Sequence, residues 1–122
     1  MAFIFEKLIV YQKSLELVEE IEKLRRERER KIPHALMDQL FRACLSIPLN
    51  IAEGNGRWHK GDKRNFFWIA RGSVFECVPL VQLLQRSQFI SEGEYTALYA
   101  RLEELSKMVT GLVQRFEQPV SC

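Results

Sequence analysis

The residues with the most chemical potential stand in "LSIPLNIAEGNGRW", Leu45 to Trp58, and just before it. Arg42, Ser46, Asn50, Glu53 and Arg57 step by four, four, three and four, which puts them on one face of one helix. The stripe mixes two guanidiniums, a carboxylate, an amide and a hydroxyl, with no lysine. A planar guanidinium suits bidentate carboxylate pairing at a protected surface, whereas a solvated face is usually richer in Lys and Glu. The stripe therefore predicts a polar network, buried or half-buried, between helices or between subunits; the plainer alternative is a solvated face. "IARGSVFE", Ile69 to Glu76, supplies the partners: a Glu53–Arg71 or Glu76–Arg42 pair would join two helices. Pro48, inside the stripe's helix, removes one backbone hydrogen bond and clashes with the Cys44 carbonyl, at ~3 kcal/mol. It predicts a bend and a Cys44 carbonyl in need of another donor. Gly72 costs ~1 kcal/mol against Ala in a helix interior, so a close backbone approach is expected there, and Pro79 predicts a second kink.

Two basic clusters flank this region. "RWHKGDKR", Arg57 to Arg64, holds Arg57, Lys60, Lys63 and Arg64 around Trp58 and His59. Cations beside a stacking ring are what single-stranded nucleic acid binding requires; the alternative is an ordinary loop with Trp58 tucked onto the protein. "KLRRERERK", Lys23 to Lys31, includes Arg25, Arg26 and Arg28. It reads either as a phosphate-binding patch or as a solvated helix end with Arg and Glu paired one turn apart.

The remaining chemistry is sparse. His34 and His59 stand at no ligand spacing to a Cys or an acid, and there is no CxxC, HxxxH or ExxH pattern, so no metal and no cofactor is expected. Cys44 and Cys77 fall on apolar seams and read as packed thiols. A two-carboxylate site would need Glu53 and Glu76 brought together, and neighbouring arginines favour ion pairing instead. No enzyme is expected; an activity using Glu53 or Glu76 is the weakest of the readings.

Four helical segments must position these residues. Leu8, Tyr11, Leu15, Val18, Ile21 and Leu24 mark the first, from about Glu6 to Arg30. The second starts near His34, after Pro33, carries Met37, Leu40, Cys44, Ile47 and Ile51, and ends at Gly54 and Gly56. The third begins near Asp62 as N-cap, with Phe66, Ala70, Ser73, Cys77, Leu80 and Leu84 as its seam. The fourth has the clearest heptad: Tyr95, Leu98, Leu102, Leu105, Val109, Leu112 and Phe116. Ser91 and Glu94 form its capping box, and Pro119 is expected to stop it. Short connections between long helices predict an all-α, antiparallel up-down-up-down four-helix bundle. In such a bundle the two basic clusters lie at opposite ends, so one subunit cannot merge them.

The 122 residues fit one domain, residues 1–122, with 47% hydrophobic and 28% charged residues. No stretch approaches the ~20 apolar residues of a membrane span, so no membrane partner is expected. The net charge of +2 implies nothing by itself, but residues 23–86 hold 13 Lys/Arg against 6 Asp/Glu, and the remainder is acidic. That asymmetry suits an anionic partner for part of the surface. Three widely spaced cysteines, Cys44, Cys77 and Cys122, argue against a disulfide framework and fit a reducing cytoplasm.

"QLFRACLSIPLNIAEGNGR" followed by "IARGSVFE" resembles a four-helix-bundle family of bacterial proteins encoded in intervening sequences of large-subunit ribosomal RNA genes. The same superfamily includes the accessory variability proteins, Avd, of diversity-generating retroelements. The resemblance covers nearly the whole chain. It implies a homopentameric ring with no known catalytic activity. Avd proteins bind a reverse transcriptase and its template RNA; intervening-sequence members have no clear role, with RNA binding suspected. Family-pattern residues fall at Arg42, Ser46, Pro48, Asn50, Glu53, Gly54, Arg57, Arg71, Gly72, Ser73 and Glu76. "CVPL" after Glu76, and Lys63 where an aromatic is usual, depart from the pattern. The preferred expectation is a non-enzymatic oligomeric adaptor binding RNA or DNA, in the retroelement version holding a reverse transcriptase on its template. The alternatives are an intervening-sequence protein of unclear role, or a protein-interaction module in which exposed aromatics such as Phe75 dock a partner.

Overall fold

The computed structural model describes residues 3–117. A short 3-10 helix, Ile4–Lys7, precedes four helices: α1 Ile9–Glu27, α2 His34–Asn55, α3 Lys60–Arg86 and α4 Glu92–Arg115. No strand occurs among the described residues. Consecutive helices pack on one another, α2 against α3 most extensively, and α1 closes onto α4 over the smallest interface. The diagonal pairs do not pack. This is a four-helix bundle with the start of α1, the α2–α3 loop and the end of α4 at one end.

The apolar seams form the core. Leu17, Ile21, Leu40, Cys44, Ile47, Ile51, Ala70, Cys77, Leu84, Leu102, Leu105 and Val109 are all buried. Four boundaries differ from expectation, the simplest being that α1 ends at Glu27 and not near Arg30. α1 starts at Ile9 because Phe5 folds back edge-on to Tyr11, 5.0 Å between ring centroids, in the 3-10 turn ahead of it. α3 starts two residues before Asp62: His59 is the N-cap, and Asp62 sits in the first turn, where a carboxylate suits the helix dipole. α2 does not end at Gly54. It runs through Asn55, with Gly56 as C-cap, and a Cβ on Gly54 would stand 2.8 Å from Cε1 of Phe67. Gly54 thus lets the buried Phe67 ring of α3 rest against the α2 backbone. α2 continues unbroken through the buried Pro48, as α3 does through the exposed Pro79. At α4 the capping box forms as read: Glu94 N–H donates to Ser91 Oγ at 3.1 Å, and Ser91 N–H to Glu94 Oε1 at 2.8 Å. Pro119 and Cys122 lie outside the described residues.

The α3–α4 turn carries its own device. Phe89 N–H reaches the Leu84 carbonyl at 2.9 Å and Gln88 N–H the Gln85 carbonyl at 3.0 Å. This is the Schellman pattern. The left-handed position is filled by Gln88, at φ 64°, rather than by glycine.

Candidate nucleic-acid interface

At the α2–α3 end the loop residues 56–59 join two antiparallel helices, and their side chains face solvent. Trp58 is 90% exposed, so it is not tucked onto the bundle. Lys60 and His59 are exposed and Arg64 is half-buried; none of the three makes an ion pair among the described residues. Arg57 reaches Glu53 at 2.9 Å, one turn back, and lies over the Phe66 ring at 4.6 Å. Lys63 is committed otherwise. Its ammonium donates to the Asn55 carbonyl at 2.7 Å and the Gly54 carbonyl at 3.5 Å. It therefore caps α2, whose last carbonyls lack helical partners. The tip gains one cation that the sequence reading missed. Phe116 stacks on Phe67 at 5.6 Å, with Lys63 and Arg115 5.8 and 5.7 Å from its ring centre. Topology alone brings Arg115 to this end; counting helix directions is the one signal that could have found it.

At the opposite end the Lys23–Lys31 cluster is engaged only in part: Arg25, Arg26 and Arg28 have partners, while Lys23, Arg30 and Lys31 are exposed with no ion pair among the described residues. Arg25 makes a two-pronged pair with Glu22, at 2.9 and 3.0 Å, and covers Phe41. Arg26 stands 4.0 Å from the same carboxylate. Arg28 ties the two turns of this end together: one nitrogen donates to the Phe89 carbonyl at 2.8 Å, another to Glu94 at 2.6 Å. The Arg28 hydrogen bond, helped by the Ser91 N–H, holds the Glu94 carboxyl below the ordinary glutamate range. Arg26 keeps the most open guanidinium of the three.

The stripe on α2 resolves differently from the expected salt bridges. Neither Glu53–Arg71 nor Glu76–Arg42 forms. Glu53 pairs with Arg57 on its own helix, Glu76 accepts from Gln39 at 2.6 Å, and Arg42 is exposed with no ion pair among the described residues. Arg71 faces α4, where its Nε donates to Thr110 at 2.9 Å, and it lies between the rings of Phe75 and Trp68, at 4.2 and 5.2 Å. The residue of α3 that faces the stripe is Ser73, two positions on and so on the other side of the helix. Ser73 Oγ donates to Ser46 Oγ at 2.8 Å, and Asn50 donates to the Ser46 hydroxyl and carbonyl at 2.9 and 2.7 Å. Ser46, Asn50 and Ser73 thus form a neutral polar link between α2 and α3, beside the Gln39–Glu76 bond. Gly72 is exposed, and a Cβ there would meet nothing within 4 Å, so no close approach inside the chain explains it.

Residues 6–111 match the family described as 23S rRNA-intervening sequence protein. The chain belongs to that family. A crystal structure of a protein of unknown function from the S23 ribosomal protein family of Bacteroides thetaiotaomicron superposes with a TM-score of 0.79 at 24% identity, covering 86% of this chain and 98% of that one. That likeness shows the shared bundle. A comparison with curated proteins finds no match. The intervening-sequence family carries no indicated enzymatic activity. Among the described residues no group of three or more His, Cys, Asp or Glu is placed to hold a metal ion.

α3 differs from the other described helices in one respect: by length and composition alone it is apolar enough to cross a membrane, although only 33% of its most apolar stretch is buried. Arg71 and Glu76 lie inside it. Its second apolar stripe faces outward. Ile69, Gly72, Glu76, Pro79 and Leu83 step by three, four, three and four, one position before the seam residues Ala70, Ser73, Cys77, Leu80 and Leu84, and only Glu76 among them is charged. Ile69 is 51% and Leu83 50% exposed.

Proposed function

We propose that this intervening-sequence family member is a non-enzymatic, self-associating adaptor that binds RNA through its α2–α3 tip. The observation that carries the reading is the exposed Trp58 ring in a loop that carries Arg57 and leads to Lys60, both exposed, with the half-buried Arg64 one turn into α3. A base stacked on such a ring contributes roughly 1–3 kcal/mol, and each neutralised phosphate adds salt-dependent affinity. Arg115 widens the tip, Lys63 braces it from behind, and Arg26 offers a lesser anionic contact at the far end. The family match favours an RNA partner over the reverse transcriptase implied by the retroelement resemblance. Neighbouring genes test that choice, since a reverse transcriptase gene beside this one would reverse it.

The test of the tip leaves Lys63 untouched, because it caps a helix. With Trp58→Ala, Lys60→Glu and Arg64→Glu combined, retention of single-stranded RNA at ~100 mM salt should fall at least tenfold. Helical circular dichroism and native mass should stay as in the parent. Unchanged retention overturns the assignment.

Self-association draws support from α3. A helix that carries exposed apolar residues beside its core face has a wide apolar surface suited to further packing. The outward stripe, flanked by Trp68 and Phe75 and by an apolar cleft of about 370 Å³ lined by Val78, Pro79, Tyr99 and Leu102, suits contact with further copies. The family resemblance implies five. A ring would repeat the basic tip around one rim and multiply weak phosphate contacts.

A further inference from the structure

The RNA-binding reading leaves one pair of reactive groups unused. Cys44 of α2 and Cys77 of α3 meet inside the bundle, with sulfurs 3.5 Å apart. Both are free thiols, and both have no exposed surface. The contact lies in the most extensive helix interface of the fold. It is bracketed by the Ser73–Ser46 hydrogen bond of 2.8 Å and the Gln39–Glu76 bond of 2.6 Å, which fix the register of one helix on the other. Each sulfur therefore has the other as a permanent neighbour.

We propose that Cys44 and Cys77 are an oxidisable dithiol that closes to a disulfide between α2 and α3 within the folded chain. The sulfurs must approach by about 1.5 Å to reach the bonded S–S distance of about 2.05 Å. The hydrogen bond to Cys77 and burial push the Cys44 thiol well above its ordinary range. That penalty falls on the thiolate, and so slows attack on a peroxide as it does metal binding and alkylation. A disulfide is as neutral as the dithiol it replaces, so the apolar seam does not oppose it. The oxidant class is a small hydroperoxide able to enter through local opening. Its O–O bond transfers one oxygen to the first sulfur, giving a sulfenic acid and an alcohol or water. The second thiol attacks that sulfur, its proton leaves with the hydroxyl as water, and the S–S bond forms. Two electrons pass from the two sulfurs to the peroxide. Burial makes the reaction slow, which suits a response to sustained oxidation.

The cross-link spans 33 positions and encloses the whole tip, residues 56–64. It therefore locks the two rods that carry Trp58, Lys60 and Arg64. Closing a loop of this size should raise Tm by roughly 10 °C.

The experiment uses the full chain with Cys122→Ser, treated while folded with millimolar hydrogen peroxide, then alkylated in denaturant and digested with trypsin. Cleavage after Arg42, Arg57, Arg71 and Arg86 leaves the two cysteines on separate peptides, 43–57 and 72–86. The expected result is one linked peptide pair from a chain of monomeric mass on a non-reducing gel. Its raised Tm should return to the starting value with reductant. Alkylated Cys44 and Cys77, sulfinic or sulfonic products, links between chains, or a disulfide without a change in Tm each overturn the proposal. The outcome is independent of RNA binding, so it stands or falls apart from the tip assignment.

Discussion

Single residues settle the ends of this bundle, and two of them carry measurable consequences. Gln88 occupies the left-handed position of a Schellman turn, where a Cβ costs about 1 kcal/mol. Gln88→Gly should raise unfolding free energy by up to about 1 kcal/mol in urea titration; an unchanged or lower value would mean that the side chain holds the turn in some other way. Glu94 works with pH. Its folded pKa lies below its unfolded value, so the stability it contributes is complete above about pH 4.3, the ordinary glutamate value. That contribution is lost as pH falls from there through the depressed folded value. Glu94→Gln should therefore lower Tm at neutral pH, and the gap from wild type should shrink by about pH 3. A gap that stays constant with pH would remove the Arg28 pairing as its cause. Glu53, by contrast, sits in an exposed pair with Arg57, 55% and 45% exposed, of the kind that contributes ~0.3–0.5 kcal/mol.

Among the elements, α2 and α3 decide the architecture, and their two interior glycines act in opposite ways. Gly54 touches Phe67, so Gly54→Ala must displace a buried ring or the helix itself. The expected loss is about 2 kcal/mol, read from the urea midpoint; a neutral variant would show that the ring relaxes freely. Gly72 touches nothing. In an isolated chain Gly72→Lys should be as helical as the parent and slightly more stable, by about 0.5–1 kcal/mol. If α3's outer stripe is a contact between copies, the same change should shift native mass toward the monomer. An assembly of unchanged mass would free that face from any role in association. The seams of both helices were legible, because core burial follows a period that sequence displays. The partners of charged residues were not. Arg71 was expected to face α2, yet it turns to Thr110 and two aromatic rings. Five donors on a long side chain leave a choice that only the neighbouring helix makes.

Across the whole molecule, charge is divided by position rather than by amount. The up-down path gathers the α2–α3 loop and the end of α4 at one pole, so Arg115 joins a tip that it is far from in sequence. It also explains why Arg28, within the cluster from Lys23 to Lys31, is committed to structure. That pole holds the α1–α2 and α3–α4 turns together, and Arg28 is the tie. The proposed self-association and RNA contact would use different surfaces, the flank of α3 and the loop tip. The tip variant and the Gly72 variant should accordingly separate the two properties, one losing RNA at full mass and the other losing mass first.

The sequence by itself determined the four helices, their buried stripes, the Ser91–Glu94 cap and the family, because each rests on local spacing of residue types within one helix or one continuous motif. The tertiary structure alone decided that Ser46, Asn50 and Ser73, with Gln39 and Glu76, join α2 to α3, that Lys63 braces the tip instead of extending it, and that Cys44 meets Cys77. Those outcomes depend on the rotation and register of one helix against another. Many side chains across an interface fix these together, and no spacing within a single helix encodes them.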